Sequence, residues 1–351
     1  MTSSQKIIYD DVKSVSDSVD LSPLKNSRIL LLGANGLIGS YFSHLLDYLN
    51  SEKNFSIEAD LITLNSLDER SRIFDLKGKK GLTVIQKDIS QSAVYKKDYD
   101  YVIHAAGYSA PGNFLADPIR AIDVNYVGLK SVLESVVSGK SKPKILYISS
   151  SEIYGSPEAV NVPTPEDYPG NGAVTNSRAC YMESKRLSEV LALNYNRIHG
   201  TDIKIARICL AYGPGMSFDD KRVVGQFMNK AKSFGKIEMV DDGRDLRSFC
   251  YLSDVLKQLL SILLFSKETI YNVGSKEEEL TIKDVAFIIG GIFGVEVVPG
   301  PGKAGVVADA PSRACVDTGK IEKEFGFKPL VPIKEGLHRT SEWNILRSKN
   351  D

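Results

Sequence analysis

The chain has 351 residues, enough for one large core or two unequal ones, and 44 Lys and Arg balance 44 Asp and Glu. Zero net charge provides no field for a polyanion, so no nucleic-acid partner is expected and a nucleotide would be gripped by a few placed arginines. Cys180, Cys209, Cys250 and Cys315 are too scattered for a disulfide framework and lack metal-ligand spacing; reduced thiols, no metal and a cytoplasmic protein are expected.

Residues 1–26 are polar, without the apolar run of a signal peptide. Ile7, Ile8, Val12, Val15 and Val19 instead predict an amphipathic helix packing on the domain. No stretch approaches the roughly 20 apolar residues of a membrane span, so no membrane partner is expected. The first strand, Arg28–Leu32, runs into Gly33-Ala-Asn35-Gly36-Leu37-Ile38-Gly39 and a helix through Phe42, Leu45 and Leu46. Strand, glycine turn and helix aim a helix N-terminus at a phosphate. In the spacing GxxGxxG, Gly33 would turn the chain, Gly36 would admit a pyrophosphate, and Gly39 would let helix pack on strand. Asn35, Leu37 and Ile38 are assigned to the same cofactor loop.

The second strand, Asp60–Leu64, ends at Asn65, where NAD-binding folds carry an acidic residue for the ribose. Asn65 can bond a ribose without repelling a 2′-phosphate, and Arg70 and Arg72 follow; NAD is the expected cofactor and NADP is left open. Residues 82–85 form the third strand, with Asp88 and Ile89 near the adenine. The fourth, Tyr101–His104, runs into Ala105, Ala106 and Gly107, small enough to lie against a cofactor. A helix after Asp117-Pro118 carries Asn125, also assigned to the cofactor. Strand five, Lys144–Ile148, ends in Ser149-Ser150-Ser151-Glu152, and strand six is Ile203–Arg207. This alternation predicts an α/β fold, a doubly wound parallel Rossmann-type sheet over residues 27–210. From residue 211 the texture turns to Gly/Pro-rich loops, predicting a smaller mixed α/β domain over 211–351, with segments exchanged between the two and the substrate between them.

Tyr181-Met-Glu-Ser-Lys185 places a phenol and an ammonium on one helix face, and Ser150 can meet the phenol across the cleft. Tyr and Lys recur at this spacing on many helix surfaces. Behind a dinucleotide loop, however, hydroxyl, phenol and ammonium make a proton relay that needs no metal.

GANGLIG (33–39), SSSEIYG (149–155), YMESK (181–185), ARICLAYGPGM (206–216), DDKRVV (219–224), RSFCYLSD (247–254) and YNVG (271–274) occur in one order. In that order the chain resembles the extended short-chain dehydrogenase/reductase family, in its nucleotide-sugar branch, over residues 27 to 345. Within the branch it is most similar to the UDP-glucuronate decarboxylases. The resemblance implies NAD, a UDP-linked sugar, and a homodimer through a four-helix bundle; Val132, Leu133 and Val136 with Leu187, Val190 and Leu191 could supply the face or belong to the core. It implies Arg222 on the pyrophosphate, Arg247 near phosphates or hexose, and Arg313 as a further phosphate contact. Tyr108, Ser109, Arg178 and Tyr251 complete the implied substrate contacts. Leu210 departs from the family's usual Asn, and Gly215 from the decarboxylases' Arg.

The resemblance implies that Tyr181, with Lys185 and Ser150, deprotonates the sugar C4 hydroxyl as hydride leaves C4. The 4-ketone then makes a C6 carboxylate a β-keto acid, which loses carbon dioxide, and hydride returns to C4. Glu152 is the discriminating residue: 4,6-dehydratases carry an Asp-Glu pair where this chain has Ser151-Glu152, and 4-epimerases need no carboxylate. Decarboxylation of a UDP-uronic acid is the expected reaction, with 4-epimerisation or 4,6-dehydration as alternatives. A non-catalytic NAD-binding sensor or scaffold is the alternative of another class.

Overall fold

The computed structural model describes residues 2–95, 98–276, 279–302, 311–329 and 331–348. The apolar runs become strands β1 (Arg28–Leu32), β2 (Glu58–Thr63), β3 (Leu82–Gln86), β4 (Tyr101–His104), β5 (Lys144–Ser150) and β6 (Asp202–Ile208). Two faces bury such strands, which is why they read as apolar runs without alternation. Helices α1 (Ser3–Ser18), α2 (Leu37–Glu52), α3 (Pro111–Phe114), α4 (Pro118–Ser138) and α5 (Ala179–His199) lie among them. Later come β7 (Leu210–Tyr212), α6 (Val223–Phe234), β8 (Lys236–Glu238), β9 (Leu246–Tyr251), α7 (Leu252–Phe265) and β10 (Ile270–Val273). The chain ends with β11 (Glu279–Thr281), α8 (Ile282–Phe293), β12 (Glu296–Val298), β13 (Arg313–Ala314), α9 (Gly319–Phe325) and α10 (Ile333–Arg347).

Seven strands form one parallel sheet in the order β10-β6-β5-β4-β1-β2-β3. The chain reverses direction across the sheet between β1 and β4, and the carboxyl ends open a crevice there. One face is covered by α2 and α7 through Phe42, Leu45, Leu259 and Leu263. Val124, Leu129 and Leu133 of α4 with Ala192 of α5 cover the other. A separate core around Met228, Phe249, Ile289 and Leu337 lies under the smaller β9 sheet.

Two features tie the ends of the chain to this sheet. The seventh strand, β10, comes from beyond residue 210, as does α7 beneath it, so the C-terminal half returns to complete the first sheet. Residues 1–26 are tied in as well: Ile8, Val12 and Val15 of α1 join the main core. The buried Asp11 carboxylate receives hydrogen bonds from Tyr41 Oη at 2.8 Å, Tyr251 Oη at 2.7 Å and Arg339 Nη1 at 2.9 Å. α1 is thereby bolted to α2, β9 and α10. Tyr251, expected at the substrate, is committed to this bolt instead; its phenol is buried away from the cleft.

Burial lifts the Asp11 carboxyl from 3.8 to about 6, against the opposing hydrogen bonds of Tyr251, Tyr41 and Arg339. A raised folded-state value means that the stabilising contribution is full below the ordinary value and is lost as pH rises through about 6. Wild type should therefore gain on Asp11→Asn by about 1–3 kcal/mol between pH 7.5 and pH 4.5. Urea denaturation of both proteins at the two pH values measures this; a flat or reversed difference would show that the carboxyl does not titrate in burial.

Candidate active site

Immediately after β1 the backbone turns left-handed at Gly33, φ +78°, where a Cβ would stand 2.7 Å from the Cα and N of Ala106. Only glycine fits there. A Cβ at Gly39 would press into the Gly33 carbonyl, so that glycine brings α2 onto the turn. Gly36 is the N-cap of α2, and no side chain caps it, so the helix presents its first N–H groups to an anion.

Two cavities flank this loop. The first, about 230 Å³, is lined by Gly33, Asn35, Gly36, Asn65, Asp88, Ile89, Ala105, Ala106, Gly107 and Tyr108. Its wall also includes Arg120, which the sequence reading missed; Arg120 Nη2 donates to Asp88 Oδ2 at 2.8 Å. The second, about 260 Å³, is lined by Leu37, Ile38, Ser109, Ser150, Glu152, Tyr181, Lys185, Leu210 and Arg222. Gly36 and Ala105–Gly107 belong to both, so the two form a continuous groove over the sheet edge.

The groove suits a dinucleotide. Asn125 donates Nδ2 to Ser184 Oγ at 2.9 Å, while its buried Oδ1 has no partner. That Oδ1 and Lys185 Nζ lie 3.2 and 3.4 Å from where a Cβ on Gly107 would stand, so the glycine keeps open a ledge beside both. The glycine turn and α2 would hold the pyrophosphate, Asn65 and Asp88 the adenosine end, and Asn125, Tyr181 and Lys185 the nicotinamide end.

α5 delivers Tyr181 and Lys185 one turn apart on its buried face. Lys185 Nζ donates to the Ile148 carbonyl at 2.8 Å and lies 5.9 Å from the Tyr181 ring centroid. Burial pulls the Lys185 amine down to about 7, partly offset by Glu189. Burial drives the Tyr181 phenol well above its ordinary value; hydrogen bonding with Ser150 opposes this, Glu152 reinforces it, and Arg222 and Arg178 oppose it. Phe114 of α3 stacks on the Tyr181 ring at 4.9 Å and 5°, and the Arg178 guanidinium lies 5.3 Å from the Phe114 centroid. Phe114 had no sequence signal beyond a short Pro-led turn.

Ser150 ends β5 and caps the following turn, accepting the Glu152 N–H at 3.2 Å. That cap aims Glu152 at Arg178, whose Nε and Nη2 donate to the two carboxylate oxygens at 3.0 and 2.5 Å. Beneath lies a further missed group. Buried Glu189 receives Ser149 Oγ at 2.5 Å and Arg207 Nη2 at 2.7 Å, and Arg207 Nη1 reaches Tyr154 Oη at 3.0 Å. Three other expected contacts are also paired: Arg222 with Asp220, Arg247 with Asp245 and Arg313 with Glu279. Arg313 lines a small cleft on the far side of Glu152, with Ser151, Gly155 and Cys315.

A dinucleotide groove closing on a serine, a tyrosine and a lysine defines an oxidoreductase-type site. Residues 29–274 match the NAD dependent epimerase/dehydratase family. The chain is 33% identical over 340 residues to UDP-glucuronic acid decarboxylase 5 of Arabidopsis thaliana, covering 93% of this chain and 94% of that one. It is 28% identical to UDP-glucuronic acid decarboxylase 1 of Danio rerio, covering 92% and 74%. Its fold is shared with the dTDP-glucose 4,6-dehydratase DesIV from Streptomyces venezuelae, solved with NAD and TYD bound (TM-score 0.77, 24% identity, 90% and 96% covered). It is shared also with UDP-glucuronic acid 4-epimerase from Bacillus cereus (TM-score 0.75, 21% identity, 91% and 99% covered). The chain belongs to the NAD dependent epimerase/dehydratase family and is an NAD-dependent enzyme of that class.

Gly33→Ala would force a side chain into left-handed backbone and into Ala106 together, at a cost of order 1–3 kcal/mol. The expected outcome is loss of NADH binding, read by fluorescence enhancement, with the far-UV circular dichroism spectrum retained. Undiminished binding would remove the turn from the cofactor site.

Proposed function

We propose that the chain decarboxylates a UDP-linked uronic acid, in the manner of UDP-glucuronate to UDP-xylose, by transient oxidation at C4. The observation that carries this reading is the lone, arginine-held Glu152 beside the Tyr181 relay. A carboxylate held at both oxygens by one edge of a guanidinium is an acceptor, suited to orienting the sugar and poorly suited to expelling its C6 hydroxyl as a general acid. Among the described residues lining the cleft, the other carboxylate is Asp220, itself bound by Arg222. Dehydration would therefore lack its acid.

Ser150 holds the C4 hydroxyl and Tyr181 takes its proton; a dinucleotide held by the glycine turn, Asn125 and Lys185 would supply the hydride acceptor and, after decarboxylation, the hydride donor for C4. Ser150, Arg222 and Arg178 oppose the burial penalty on the phenolate, and Lys185, 5.9 Å from the ring centroid, would add to them in its ammonium form. With a ketone at C4, the C6 carboxylate lies β to a carbonyl, and carbon dioxide leaves as the electron pair enters the C4 carbonyl. The enolate is protonated at C5. Arg222, Arg178 and Arg247 would hold the diphosphate and hexose, with Tyr108, Ser109 and Arg313 at the margins. The relatives named as UDP-glucuronic acid decarboxylases support this reading.

The same reading includes a homodimer. α4 and α5 pack side by side and expose Ile119 and Ile122 on one and Leu187 and Val190 on the other. Val132 and Leu133 are core instead, and Val136 and Leu191 pack against that core. A second copy would close these helices into a four-helix bundle. No helix among the described residues is long and apolar enough to cross a membrane, and the four free cysteines suit a cytoplasmic protein.

Purified protein with NAD and UDP-glucuronate should release carbon dioxide and form a UDP-pentose, followed by NMR. An unchanged UDP-glucuronate sample beside an epimerised or dehydrated UDP-hexose would sink the decarboxylase reading. Tyr181→Phe should lower turnover by about 10²–10⁴-fold with NADH affinity retained. Turnover equal to wild type would remove Tyr181 from the chemistry, and a wild type inert toward every nucleotide sugar would favour the sensor. Val190→Glu should convert a dimer to monomers in light scattering.

A further inference from the structure

Among the described residues lining the cleft, Arg72 is a guanidinium that no carboxylate pairs. Arg72, on the loop after β2, lines the same cavity as Ser150, Tyr181, Leu210 and Arg222. Its Nε donates to the Gly215 carbonyl at 2.7 Å and its Nη1 to the Asn35 carbonyl at 3.0 Å. The Asn35 side chain accepts the Arg72 N–H at 2.7 Å, and His44 Nε2 contacts the Arg72 carbonyl at 3.1 Å. The side chain is thus held by backbone from both halves of the molecule.

Charge makes this residue unlike its neighbours. Glu152 is neutralised by Arg178, and both oxygens of Asp220 are taken by Arg222. The two pairs cancel, so Arg72 brings the cleft a positive charge that no carboxylate there matches, in addition to that of Lys185 when its amine is protonated. Burial pulls its pKa down to about 10, with Arg222 and Arg347 adding repulsion and Asp220 attraction, and it remains a cation at neutral pH. Two carbonyl bonds do not offset the desolvation of a guanidinium as a carboxylate would, which favours an anionic ligand. Gly215 lies directly against it: with φ +97° it turns its carbonyl to Nε, and a Cβ there would meet Arg72 Cδ and Nε at 3.4 Å, in van der Waals contact. At this position the chain lacks the arginine of the decarboxylase pattern.

We propose that Arg72 is a substrate-binding residue whose guanidinium, seated beside Gly215, takes an anionic oxygen of the bound nucleotide sugar. The proposal rests on the nucleotide-sugar reading above. The oxygen belongs to the diphosphate or to the sugar carboxylate. Leu37 and Ile38 of the glycine loop line the same cavity, so the cofactor diphosphate is the rival anion, and NADH binding separates the two.

The test is calorimetric binding of NADH, UDP, UDP-glucose and UDP-glucuronate to wild type, Arg72→Gln and Arg72→Lys. A hydrogen bond to a charged group predicts at least about a tenfold loss of UDP-glucuronate affinity in Arg72→Gln, with NADH unchanged. Lysine keeps the charge but cannot bridge both carbonyls, so Arg72→Lys should recover most of the loss. Parallel loss for UDP and UDP-glucose assigns the diphosphate; loss confined to UDP-glucuronate assigns the carboxylate. Unchanged affinities overturn the proposal, as does loss of NADH binding, or a lysine variant as weak as the glutamine one. A wild type that binds none of the three UDP compounds sinks the nucleotide-sugar reading itself. Wild type that binds them without releasing carbon dioxide sinks only decarboxylation.

Discussion

Glu189 and Arg207 are both buried, and their pairing fixes the geometry of the reactive edge. Glu189 lies one helical turn beyond Lys185 on α5, and Arg207 lies near the end of β6. Arg207 donates Nε and Nη2 to the carboxylate and Nη1 to Tyr154 Oη and the Glu166 carbonyl. Tyr154 closes the turn that contains Glu152 and donates in turn to Asn272 of β10 at 2.7 Å. One ion pair therefore ties together the helix bearing the tyrosine and lysine, the turn bearing the glutamate, and the strand returned by the C-terminal half. Removing either partner would leave an uncompensated buried charge, a loss of about 3–5 kcal/mol. The pair is worth more as a positioning device than as net stability, because apolar substitutes often cost nothing in energy.

The legible parts of the molecule were those with local causes. β1 to β6 are short apolar runs closed by glycine or polar residues, and Gly33, Gly36 and Gly39 have roles that a single turn dictates. Tyr181 and Lys185 were legible because helical spacing alone places them on one face. What escaped had distant partners. β10 has only four residues and gains its place by pairing with β6. Tyr251 belongs to a motif that points to the substrate, yet its phenol is taken by Asp11, 240 positions away in sequence. No periodicity encodes such a contact. Asp11 itself reads as one more polar residue on an amphipathic helix until α2, β9 and α10 enclose it.

The relay works against its own burial. Phe114, stacked on Tyr181, and Tyr147, whose ring centroid lies 4.8 Å from Lys185 Nζ, exclude water from phenol and amine alike, and both are pushed toward their neutral forms. A neutral phenol and a neutral amine make a poor base. The counterweights are Ser150, Arg178 and Arg222 around Tyr181, with Glu189 behind Lys185. The positive nicotinamide ring would add to them on one side of the hydride transfer. Charge on the cofactor and charge on the phenol would then be coupled, and the base would be strongest with the ring in its hydride-accepting form.

The four arginines read as ligand contacts share a different logic. Arg178, Arg222 and Arg313 each present the Nε–Nη2 edge to a carboxylate, and Arg247 uses Nη2. A guanidinium has five donors, and a two-point pair occupies only one edge. The pairing fixes the plane of the cation and leaves further donors of Arg178 and Arg222 for a ligand. It also cancels charge that would otherwise hold every anion with equal force. Selectivity among nucleotide sugars then depends less on the total number of arginines than on which donors remain, and in which plane. On the proposed role of Arg72, charge left unmatched by a carboxylate at one position would count for more than several cations already matched.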